Sequence, residues 1–158
     1  MIHLSEKIVD EIELHGEQSY PEECCGMMLG YSENNNHVIE EVIKIDNSQD
    51  ENRRRRFLIT PEQYRHAEEF ARNKKMELLG FYHSHPDHPA APSTFDTEHA
   101  LPWFTYIIVS VEKGKAGTMT AWLLNEERNK FIERMMISES FEQNSSIQQS
   151  ALSGNRKL

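Results

Sequence analysis

The 158-residue chain has only two cysteines, and they are adjacent, at Cys24 and Cys25. Neighbouring cysteines cannot clamp distant parts of a chain. A disulfide framework is therefore excluded, and a reducing, cytoplasmic location is expected. Basic charge is also scarce: 17 Lys and Arg against 26 Asp and Glu leave a formal charge of −9. Non-specific nucleic-acid binding needs a positive field, so no nucleic-acid partner is expected. No apolar run approaches the roughly 20 residues of a membrane-spanning helix. Met1 to Gly16 lacks the basic-then-apolar layout of a signal peptide, so no membrane partner is expected either. What remains, 37% hydrophobic and 27% charged residues, is compatible with a globular domain on the polar side.

The apolar periodicities place the elements. Leu4, Ile8, Val9 and Ile12 give an amphipathic helix from a Ser5 cap to a stop at Gly16. Cys25–Tyr31 and His37–Ile45 read as strands joined through the turn-forming SENNN, a hairpin. Arg53-Arg54-Arg55-Arg56 then leads into Phe57-Leu58-Ile59. In an acidic chain this short run reads as a solvated strand edge, or as a contact for an acidic protein substrate. Thr60-Pro61-Glu62-Gln63 opens a second helix, with a cap, a proline at the first position and a capping box. Its apolar stripe is Tyr64, Ala67, Phe70 and Ala71. Thr105–Val111, Thr118–Leu124 and Lys130–Ile137 complete the strands. One domain is expected over residues 1–137, with 138–158 a polar, frayed tail. Helices and strands interleave irregularly, with hairpins among them, so the fold class is α/β (α+β) with a mixed, curved sheet.

The chemistry concentrates in Gly80–Asp96, GFYHSHPDHPAAPSTFD. Met76–Tyr82 is an apolar strand that runs into His83-Ser84-His85-Pro86. Alternation along a strand puts His83 and His85 on one face and Ser84 on the other. Asp96 returns as a carboxylate after a short loop, and Ser93-x-x-Asp96 has the form of a helix cap with its N3 partner. Two imidazoles and a carboxylate make a three-ligand set that leaves a fourth position for water, the pattern of a catalytic zinc. A His-x-His pair on a strand can equally be surface decoration. His88 and Asp87, in the same loop, are read as solvated rather than as ligands, and His99 is given no role.

Upstream lies Pro21–Gly30, PEECCGMMLG. Taken with H-S-H-P, a seven-residue spacer and S-x-x-D, it resembles the signature of the JAMM (MPN+) metalloprotease family. The resemblance extends from about Leu4 to about Ile137. It implies the JAMM/MPN fold, a curved sheet flanked by helices and similar to cytidine deaminases. It also implies one zinc per chain held by His83, His85 and Asp96, with Glu23 as general base and acid and Ser93 stabilising the oxyanion. Glu22 is the competitor for the base; Glu23 is preferred because it stands three residues ahead of Gly26, in register with the family. Ser84 is assigned support. Cys24, Cys25, Trp103 and Phe104 are read as packing.

Family members hydrolyse peptide or isopeptide bonds, often after the Gly-Gly of a ubiquitin-like protein. The short path from Asp96 to Thr105 leaves no room for a long insertion, which resembles the compact bacterial stand-alone members. The expected partner is thus a ubiquitin-like sulfur-carrier protein. A ubiquitin-directed deubiquitinase and a catalytically silent interaction module are the alternatives. A nucleobase deaminase would need H-x-E and P-C-x-x-C, and the chain has neither.

Overall fold

The computed structural model describes residues 1–46 and 59–139. Among these residues the elements are β1 (Ile2–Ser5), α1 (Glu6–Ser19), β2 (Cys25–Glu33), β3 (Asn36–Ile45), α2 (Pro61–Asn73), β4 (Glu77–Pro86), α3 (Thr94–His99), β5 (Thr105–Glu112), β6 (Lys115–Leu124), β7 (Phe131–Arg134) and β8 (Met136–Glu139). The strands form one mixed sheet in the order β7-β6-β5-β4-β2-β3-β1-β8. The mixed, curved sheet flanked by helices is the architecture expected.

Lys130–Ile137, expected as one strand, is divided at Met135. β7 pairs with β6, whereas β8 pairs with β1 at the other end of the order. The sheet thus curls until its two end strands are carried by one stretch of chain, on either side of Met135. His37 on β3 and Thr105 on β5 reach across the inside of the curl, with Nδ1 and Oγ1 2.7 Å apart.

Helix α1 lies within the curl and touches β1, β3, β4, β5, β6 and β8. Ile8 and Ile12 meet Met28, Tyr82, Val109 and Val111 in one core. On the opposite face α2 supplies Ala67 and Ala71 to a second core around Cys25, Met27, Phe81 and Tyr106. β4 is therefore buried on both faces. It pairs antiparallel with β2 and parallel with β5.

The helix caps match the sequence. Ser5 caps α1, and Thr60 with Gln63 closes the capping box of α2. The hairpin turn is Asn34-Asn35, both with positive φ, a conformation Asn adopts more readily than most residues. Gly16 corrects the expected stop: α1 runs on to Ser19. A Cβ at Gly16 would stand 2.9 Å from Val111 Cγ2, so the glycine allows the helix to approach the sheet. Leu4 is another correction, belonging to β1 and not to the helix. Arg53–Arg56 lies outside the described residues, as does the tail beyond Glu139. No helix among the described residues is long and apolar enough to cross a membrane.

Candidate metal centre

β4 does not stop before the histidines. Its hydrogen bonding to β5 continues through Pro86, so His83, Ser84 and His85 sit on the central strand of the sheet. His83 and His85 are 1% and 6% exposed. Their Nε2 atoms lie 3.1 Å apart. Asp96 completes the cluster, with Oδ1 3.3 Å from His83 Nε2 and Oδ2 3.2 Å from His85 Nε2. These three residues offer ligand atoms all within 4.8 Å of one another.

Two of the three candidate ligands, His85 and Asp96, are oriented from outside the cluster. His85 Nδ1 is 2.8 Å from the Pro89 carbonyl oxygen. A carbonyl only accepts, so Nδ1 carries a proton and Nε2 is the atom turned toward the cluster. Asp96 is the N3 residue of α3: Ser93 N–H donates to its Oδ2 at 2.8 Å, and its own N–H donates to Ser93 Oγ at 3.1 Å. The cap expected from sequence is what aims the carboxylate. Burial, and then His85, hold the His83 imidazole below its ordinary value, against the pull of Asp96. Burial alone would raise the Asp96 carboxyl, but both imidazoles and the Ser93 N–H outweigh it, and the carboxyl stays far below the usual range. A neutral imidazole and an ionised carboxylate are the states that bind metal. Lone pairs converging on one point are the arrangement a cation resolves, so the donor set fits a divalent ion of the zinc type.

Glu23 is 5% exposed, and it lines a cavity of about 420 Å³ with His85, His88, Pro89, Ala91, Ser93, Thr94 and Phe95. Glu22, its rival, is exposed. The separation does not come from strand alternation, since β2 begins only at Cys25. It comes from Ser84, which grips the chain between them and the strand. Its Oγ accepts from Cys24 N–H at 2.8 Å, and its own N–H donates to the Cys24 carbonyl at 3.1 Å. Cys25 pairs with His83 in the β2–β4 register, so Glu23, two residues back, is brought opposite His85. Gly26 matters here too, because a Cβ there would stand 2.2 Å from the Tyr82 ring.

Other candidates find plainer places. Cys24 and Cys25 are buried, and burial pushes their thiols up to about 11 and about 12, so they stay protonated core groups. Asp87 is tied by Tyr20 Oη and by Lys113 N–H, both at 2.8 Å, away from the ligands. Phe104 packs in the second core, but Trp103, expected to pack, is 71% exposed. A second recess touches the cluster from the other side. It is lined by His83, Asp96, Tyr64, Phe95, His99 and Tyr106 among others. Sequence reading had not joined the α2 residue Tyr64 to this site, and only tertiary packing does so.

Residues 5–125 match the family model described as prokaryotic homologs of the JAB domain. The chain belongs to this family. Among curated relatives of the JAB protein, desampylase of Pyrococcus furiosus is 34% identical over 83 residues, 52% of this chain and 56% of the relative. Tail tip assembly protein K of Escherichia phage N15 is 30% identical over 120 residues, 73% of this chain and 44% of the relative. The chain thus spans about half the length of these relatives. Among solved structures, a Desulfitobacterium hafniense protein superposes with a TM-score of 0.77 at 28% identity, covering 89% of this chain and 94% of that one. A JAB1/MPN domain protein from Archaeoglobus fulgidus gives a TM-score of 0.53 at 17% identity, covering 87% and 97%, a likeness of fold alone.

Proposed function

We propose that this JAB protein is a zinc-dependent metallopeptidase that hydrolyses a peptide or isopeptide bond at the C-terminal Gly-Gly of a ubiquitin-like sulfur-carrier protein. One observation carries the reading. His83, His85 and Asp96 converge on a point at the edge of a cavity in which Glu23 is buried and Ser93 is exposed. The likeness to desampylase, a name that denotes removal of a ubiquitin-like modifier, supports the choice of substrate.

A zinc ion held by these three residues would supply Lewis acidity, easing ionisation of a water and polarising the scissile carbonyl. The protein's own groups do the rest. Glu23 takes a proton from the attacking water as the new C–O bond forms. It returns that proton to the leaving nitrogen as the C–N bond breaks, so the amine departs neutral. Ser93 Oγ accepts the cap N–H from Asp96 and keeps its own proton, which it donates to the carbonyl oxygen as negative charge builds there. A neutral hydroxyl suits this task because it donates without competing for the metal.

The test is incubation of zinc-loaded protein with a ubiquitin-like sulfur carrier bearing a C-terminal extension, read by intact mass. We expect loss of the extension immediately after Gly-Gly. An intact carrier with metal bound would favour a silent interaction module.

A further inference from the structure

We propose that Tyr20 and Asp87 form a clamp that holds Glu23 in the cavity, so that Asp87 is a positioning residue for the reaction although it belongs to neither the ligand cluster nor the cavity lining. The proposal rests on the hydrolase reading above, in which Glu23 moves the proton. It concerns what keeps Glu23 there in place of Glu22.

Glu23 lies in an irregular stretch between the end of α1 at Ser19 and the start of β2 at Cys25. Two neighbouring carboxylates stand in it, Glu22 exposed and Glu23 buried. A short irregular segment anchored at one end only can turn about that end, and such a turn exchanges the two side chains. The Cys24 end is anchored by its two hydrogen bonds to Ser84. The other end has an anchor too. Tyr20 Oη donates to Asp87 Oδ2 at 2.8 Å, and Tyr20 packs against the core that α1 shares with the sheet. Pro21, Glu22 and Glu23 are therefore a span fixed at both ends.

Both anchors come from the segment that carries the histidine ligands. Ser84 stands between His83 and His85, and Asp87 follows two residues beyond His85. Asp87 is itself well fixed. Its N–H donates to the Val111 carbonyl at 2.9 Å, and its Oδ1 accepts from Lys113 N–H at 2.8 Å. Its φ of 55° turns the chain out of β4 toward Pro89, whose carbonyl oxygen orients His85 at 2.8 Å. One residue thus shapes the loop on the ligand side and holds the stretch that bears the base. Asp87 is exposed, so water can replace the Tyr20 bond and its contribution to overall stability is small. Its effect on turnover is larger, because proton transfer falls steeply when the acid–base group is misplaced.

The experiment compares zinc-loaded wild type, Tyr20→Phe, Asp87→Ala, Asp87→Asn and the Tyr20→Phe/Asp87→Ala double variant on the extended sulfur-carrier substrate. Tyr20→Phe keeps the packed ring and removes only the donor. We expect its kcat to fall about tenfold, the effect of one hydrogen bond to a charged group, with KM, zinc content and Tm near the wild-type values. The double variant should fall no further than Asp87→Ala, because both changes break one clamp. Asp87→Asn should retain most of the activity: its amide oxygen can accept from Lys113, its NH2 can donate to Tyr20 Oη, and Asn tolerates positive φ. A wild-type kcat in Tyr20→Phe, or losses that multiply in the double variant, would overturn the proposal. A second readout needs neither turnover nor metal. Backbone 15N relaxation of the zinc-free protein should show added motion at Glu22 and Glu23 in Tyr20→Phe, and unchanged relaxation there also overturns the clamp. A wild type that leaves the carrier intact counts against the hydrolase reading, and the relaxation comparison still decides whether Tyr20 and Asp87 hold Glu23.

Discussion

In the proposed reaction single side chains carry the chemistry, and each has a separable role. His83→Ala or Asp96→Asn removes a ligand from a buried set. Either should abolish stoichiometric zinc by metal analysis, where the parent binds about one per chain. Glu23→Gln is nearly isosteric and touches no ligand position, so we expect metal retained and hydrolysis lost. If Glu22→Gln were the inactive variant instead, the base is misassigned. Ser93→Ala should lower kcat on the order of 100-fold, the usual effect of deleting one oxyanion donor. Zinc should remain, because the Ser93 backbone N–H still holds Asp96. Ser93→Thr keeps both the cap and the donor, and should recover most of the loss.

At the scale of elements, two local devices set where those side chains stand. The Thr60–Gln63 capping box fixes the start of α2, which delivers Tyr64 to the recess beside His83. Thr60→Ala should cost about 1 kcal/mol, read as a lower denaturation midpoint with zinc content unchanged. Gly16→Ala should gain in helix propensity and lose more by overpacking against Val111, a net destabilisation of about 1 kcal/mol. Thermal melting checks it; a higher Tm would mean that the helix and sheet do not meet as described.

Such local devices were legible in sequence because cap chemistry and strand alternation are short-range. Ser93 with Asp96, Thr60 with Gln63, and the common face of His83 and His85 all fall within a few residues. Gly16 misled because a glycine needed for close packing has the same letter as one that ends a helix. β1 was hidden because Ile2 and Leu4 lie just before a helix whose stripe they extend. The division of the last strand at Met135 depends on both ends of the sheet arriving at it, which no window of sequence contains. Glu23 could be chosen over Glu22 only by family register. The structure supplies a local cause, the grip of Ser84 on Cys24.

Across the whole molecule, the curled sheet encloses α1 and leaves the functional cluster on the far face of β4. His15 links α1 to that strand: its Nδ1 is 2.7 Å from Tyr82 Oη. Burial, and then Lys44, lower the His15 imidazole from 6.5 to about 4. The folded state therefore resists a proton that the unfolded chain accepts. Stability from this group is fully present above pH 6.5 and falls as the pH drops toward about 4. Because the ring is only partly buried, the loss should be on the order of 1–2 kcal/mol. Denaturation curves of wild type and His15→Gln should converge or cross in that window; parallel curves would show that His15 is not held neutral.

Anomalous diffraction at the zinc edge from crystals of the zinc-loaded protein tests the central claim most directly. The account requires one strong peak bonded to His83 Nε2, His85 Nε2 and an Asp96 oxygen, with the Glu23 carboxylate beside the open position and not bonded to the ion. A peak elsewhere, or one with Glu23 as a ligand, would contradict it.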